Sequence, residues 1–268
     1  MEFLKIIKRR SFLHEVVYII LNVVLALSAM VLIRVTGVYW PSLVLVLVSK
    51  WRILAVRPRF WLANIQANLV SIIVSVSYVI FLYLAQSLDS LTYNQTLIVH
   101  IILTSFYILW LLFIKPKSKR IFIVLQAAIA LIGGITAVFA TIYSWSVIFT
   151  VALTLLIAYS STKHILGSYD EEKHIRLISL FVSFVMAEIS WLSYHWLIAY
   201  NLPFVSGILI PQATIIIFCL AFLFYKSYDS FYKNQFIKIN DIILPLIFTI
   251  SLTAVLILFF NDIYVNNF

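Results

Sequence analysis

The stretch VYWPSLVLVLVSKWR, Val38 to Arg52, decides how this chain is threaded through a membrane. Its charge-free apolar part runs from Val38 to Val48, with Pro41 and Ser42 inside it. That is short for a helix crossing a hydrocarbon layer of about 30 Å, which takes about twenty residues. Lys50 and Arg52 can still belong to its end, because long basic side chains reach from the apolar layer to the interface. If the segment crosses, everything after it has one orientation. If it does not, everything after it is inverted.

The rest of the chain is that of a multi-pass membrane protein. Of 268 residues, 64% are hydrophobic and 11% charged, whereas a soluble domain is about half apolar and a quarter charged. So few polar residues could not cover the surface of one large soluble core. Several apolar runs exceed eighteen residues, the mark of spanning helices. Nine spans are predicted, at about 15–36, 39–56, 60–86, 95–114, 120–142, 145–162, 174–200, 203–225 and 241–261. They form a single all-α membrane domain over 1–268, with no soluble domain and no internal repeat. The basic start followed by the long run Val16–Ile33 reads as an uncleaved first span rather than a signal peptide.

Charge supports the second span. With the N-terminus in the cytoplasm, 18 of the 19 Lys and Arg fall inside and Arg34 alone falls outside. Without that span, fourteen of the eighteen would move out. The positive-inside rule therefore predicts an inside N-terminus and an outside C-terminus. It also accounts for the net charge of +9 without nucleic acid as a partner. The expected surroundings are the lipid bilayer of a plasma or inner membrane, together with other membrane subunits. Cys219 is the only cysteine, so no internal disulfide and no cysteine zinc site can form.

Two segments on the basic side have readable local physics. In GSYDEEKHIRL, Ser168 followed by Glu171 reads as a capping box, which would start the seventh helix there. In YDSFYKNQFIKIN, Tyr228, Phe231, Tyr232, Phe236 and Ile239 fall on one helical face. This predicts a short helix in the interface, with Lys226, Lys233 and Lys238 on lipid phosphates. His164, Asp170, Glu171, Glu172 and His174 could hold a divalent ion, but they match no compact ligand spacing and no metal is expected. Gly133 and Gly134 predict a close helix approach.

The candidate functional residues lie inside the spans. Glu188 is near the middle of the seventh. A charged acid there costs roughly 2.5–3.5 kcal/mol, so it should be protonated, paired or in a wet cavity. His195 lies two turns further on the same face. The turn YNLP would bring the eighth span back antiparallel, with Gln212 between the depths of Glu188 and His195 and Thr214 close to Glu188. Pro211 would then free the Gly207 carbonyl. Stripes of Asn64, Asn68, Ser71, Ser75 and Tyr78 in the third span, and of Thr96, His100, Thr104 and Tyr107 in the fourth, complete the polar set. Together they predict a hydrated site in the outer half, between the fourth, seventh and eighth spans. Glu188 would be its floor, and His100 and His195 its mouth.

No HExxH, P-loop, nucleophile elbow or paired-aspartate cluster occurs, so no cofactor is expected and no catalytic residue is selected. The leading expectation is a small-solute or ion transporter, proton-coupled through Glu188. The alternatives are a non-catalytic accessory or scaffolding subunit, and an embedded enzyme acting on a lipid-linked substrate. A transporter needs a cavity, an enzyme a groove with acid and base in reach, and a scaffold neither.

Overall fold

The computed structural model describes residues 2–88, 91–142, 146–169, 172–196, 198–202 and 205–260, with side chains described for these except 2–14, 142, 201, 202 and 205–208. The described chain is almost entirely helical, with nine α-helices. Eight of them are long and apolar enough to cross a membrane. The chain is a multi-pass membrane-type helical protein whose apolar helices suit contact with a lipid bilayer. Contacts group it into two units, Met1–Asn68 with Ser75–Ser118, and Leu69–Val74 with Lys119–Phe268.

The first unit contains α1 (Glu2–Thr36), α2 (Trp40–Val48), most of α3 (Trp61–Ser87) and α4 (Tyr93–Leu109), the last prolonged by a π-turn over Trp110–Ile114. The second predicted span is much shorter than 39–56. Helix α2 has nine residues, about 14 Å at 1.5 Å per residue. Gly37, at φ +68, turns the chain into it, and two short 3-10 turns follow it, Trp51–Ile53 and Pro58–Phe60. The segment nonetheless runs from one end of its neighbours to the other. Tyr18 meets Leu111, and Arg34 lies over Tyr93, so α1 and α4 are antiparallel. Ser75 meets Tyr107, Tyr78 meets Thr104, and Leu82 meets His100, so α3 and α4 are antiparallel too. Helices α1 and α3 are therefore parallel, and the chain between them returns from the end of α1 to the opposite end of α4, where α3 begins. The short helix is held by Ser42 Oγ, which donates to the Ala29 carbonyl at 2.8 Å. The Asn64 amide closes the non-helical part on the Ile53 carbonyl at 2.6 Å. Lys50 ends up near enough to Lys115 for their charges to interact.

The second unit contains α5 (Arg120–Ile142), α6 (Val147–Leu166), α7 (Ile175–His195), α8 (Gln212–Asn234) and α9 (Ile239–Phe259). Small residues set its packing, as lipid-immersed interfaces require. A Cβ on Gly134 would meet Ile73 at 2.8 Å and Ile157 at 3.1 Å, so the predicted close approach is there. On α7, Ser179, Ser183, Ala187 and Ser190 are buried, and Ser190 Oγ bonds Thr154 of α6 at 3.0 Å.

Three boundaries differ from the sequence reading. Helix α7 starts at Ile175, not at Ser168. Ser168 Oγ instead donates back to the Ile165 carbonyl at the end of α6, and its expected partner Glu171, with Asp170, lies outside the described residues. The turn YNLP is part of an antiparallel hairpin, β1 (Ala199–Leu202) with β2 (Val205–Pro211). Helix α8 consequently starts at Gln212, and Pro211 caps it instead of breaking it. Its fixed φ suits a helix entrance, so no helical bond to Gly207 exists to be lost. Residues 226–234 continue α8 in place of a separate interfacial helix, and Gln235 ends it in the left-handed region at φ 61.

Candidate functional site

The polar stripes of the first unit bond to one another. Tyr78 donates to the Ala26 carbonyl at 2.9 Å and pairs with Thr104 at 3.0 Å. Tyr107 donates to Ser75 Oγ at 3.0 Å and stacks on Tyr78, with ring centroids 4.1 Å apart. His100 is fully buried. Its Nε2 lies 2.9 Å from the Leu82 carbonyl, which makes that nitrogen the donor. Asn68 donates to the Asn64 carbonyl at 2.8 Å. All but Asn68, whose bond stays within α3, join helices, and none lines a cavity among those described.

The residues expected to form the hydrated site are not assembled that way. Glu188 and His195 are exposed on α7, among Phe184, Val185, Trp191 and Leu192. The reason is the small-residue face of α7, which packs on α6 and turns the opposite face outward. His195 has the Trp191 and Tyr194 rings around it at 5.0 and 5.7 Å. Gln212 is at the start of α8, not between the depths of Glu188 and His195. Its amide donates to Tyr200 Oη and to the Leu256 carbonyl, both at 2.9 Å. Thr214 is buried and accepts from Thr136 at 3.2 Å.

Two cavities of the second unit lie elsewhere. One, of about 470 Å³, lies between α5, α6 and α8 toward the Arg120 end. Its walls are apolar and include Phe122, Leu125, Ala128, Phe218, Ala221, Phe222 and Tyr225. The other, of about 540 Å³, lies at the opposite end between α7, α8 and α9, beside Leu192, Trp196, Gln212 and Ile257. Glu188 lines neither.

A charged aromatic cluster closes the basic end beside the first cavity. Arg120 follows Lys119 at the start of α5 and precedes the cavity wall. Its guanidinium lies 4.1 Å over the Tyr169 ring and 3.7 Å from Asp229. Lys233, one turn beyond Asp229, pairs with it at 2.5 Å. Tyr169 donates to Asp229 at 3.2 Å, and burial together with that carboxylate holds its phenol well above the usual range, so it remains a donor. Glu172 accepts from the Tyr228 hydroxyl and the His174 N–H. These donors hold its carboxyl below the ordinary carboxylate value. Lys226 lies 5.9 Å from the Phe222 and Tyr225 ring centres, and Lys238 5.9 Å from Phe236.

The sequence reading missed Arg120, Tyr169 and Asp229 as a group. Asp229 and Lys233 are readable as an i, i+4 pair. The link from Arg120 to Tyr169 joins residues 49 apart and has no local signal. No known protein family, curated protein or solved structure matches the chain.

Proposed function

We propose that the chain is a permease-type membrane protein for amphiphilic anions, molecules with an apolar body and one negatively charged head. The observation behind this reading is the apolar cavity of about 470 Å³, which begins at Ile121 next to the Arg120–Asp229–Lys233 cluster. A water-soluble ion or sugar would lose its hydration in such a cavity and find no hydrogen bonds there. An acyl or aromatic body loses nothing, and Lys119 and Lys226 offer charge to its head. The positive-inside reading places this end at the cytoplasmic leaflet. Glu188, outside both cavities, takes no part.

The test is leaflet-to-leaflet movement of a fluorescent lysophosphatidic acid in proteoliposomes, read by dithionite quenching of the outer pool. Protein-dependent loss of the protected pool is expected, and Ala128→Trp or Ala221→Trp, which fill the cavity, should abolish it. Quenching identical to that of protein-free liposomes would refute the reading.

A further inference from the structure

The outward face of α7 has a composition that lipid does not satisfy. Phe181, Phe184, Val185, Trp191 and Leu192 are between 40% and 70% exposed. Glu188 is exposed in their midst. It is 13 residues from Ile175 and 7 from His195, about 20 Å and 10 Å at 1.5 Å per residue. Helical Cα–Cβ bonds tilt toward the N-terminus, so this carboxyl is directed toward the farther end of α7 and away from the nearer surface. The helix cannot turn to hide it, because Ser179, Ser183, Ala187 and Ser190 are committed to the packed side. Acyl chains provide no donor.

We propose that this face docks a transmembrane helix of a different membrane protein, one that presents a lysine or arginine opposite Glu188. Charge complementarity selects the occupant. A second copy joined through α7 about a two-fold axis would set Glu188 against Glu188. Nor does a second copy have a cation to offer at that depth. In the eight long helices every Lys and Arg but Lys226 lies within three residues of a helix end. Lys226 is 14 residues from the Gln212 end of α8, about 21 Å at 1.5 Å per residue, against about 10 Å for Glu188 from the neighbouring end of α7. A basic residue within an apolar span has the same desolvation cost as Glu188, and pairing relieves both.

The experiment uses the full chain in phosphatidylcholine liposomes, with a donor fluorophore on a C-terminal tag. The probes are two acceptor-labelled leucine–alanine transmembrane peptides, one with a single central lysine and one with leucine there. Energy transfer to the lysine peptide should saturate at a concentration at least tenfold lower than to the leucine peptide. Glu188→Gln should erase the difference while leaving the melting temperature unchanged, since the residue is exposed. Glu188→Lys with an aspartate-bearing peptide should restore it. Equal transfer to both peptides would overturn the proposal. So would Glu188-dependent transfer between two labelled copies of the chain, which would make the occupant a second copy. Neither result bears on the α5–α8 cavity.

Discussion

The two units share one use of polar residues and differ in a second. In the first, Tyr78, Thr104, Tyr107, Ser75 and His100 turn toward one another or toward backbone carbonyls, and the polar atoms named above are enclosed. In the second, hydroxyl pairs such as Thr154–Ser190 and Thr136–Thr214 also join helices, but charged groups gather at the basic end around Arg120 and Asp229, and an apolar cavity opens beside them. A polar stripe at helical spacing therefore does not mark a pathway. Inside a membrane, a hydroxyl facing a neighbouring helix is stabilised by any acceptor it meets, and glue and channel lining have the same sequence pattern.

The largest expected effect is on packing in the second unit. Gly134→Leu should destabilise by about 1–3 kcal/mol, because its Cβ already collides with Ile73. Thermal melting in detergent measures this. Gly37→Ala meets open space but keeps a positive φ, so it should cost about 1 kcal/mol, by strain alone.

Next, Ala128→Trp should abolish leaflet transfer with little change in melting temperature, since the side chain enters existing space. Tyr78→Phe should do the reverse. It removes two hydrogen bonds and about 1 kcal/mol of stability, leaving transfer unchanged. Transfer lost in Tyr78→Phe but kept in Ala128→Trp would break the contrast between the units.

The smallest effect concerns pH. Tyr228 and His174 favour the ionised form of Glu172, so its folded pKa lies below the ordinary value of 4.5. The stabilisation is complete above that ordinary value and is lost as the pH falls through the folded value. Glu172→Gln should therefore lower stability near neutrality, where the stabilisation is complete, and flatten the acid side of the stability profile below about pH 4.5. An unaltered acid limb would mean that the Tyr228 and His174 donors do not act on Glu172.

Much of the architecture was legible from the chain. Long apolar runs can be stable only as spanning helices, since lipid satisfies no backbone group, and eight such helices are present. The close contact at Gly134 followed from the absence of a side chain. Helix ends were less legible. Ser168 has the local chemistry of a helix start but serves the end of α6. Gln95, by contrast, accepts from the Thr92 N–H in a capping arrangement that the reading passed over. Both arrangements use the same residue types, and the fold selects between them.

The sequence by itself determined the class of the protein, its basic end and its candidate polar residues. Hydrophobic length and charge are properties of the chain that no packing changes. Which way each polar residue faces was decided only by tertiary structure. One residue is about 100° of helix rotation, and the small face of α7, buried against α6, turned Glu188 outward. The cavity beside Arg120 likewise depends on three helices meeting, and no single segment encodes it.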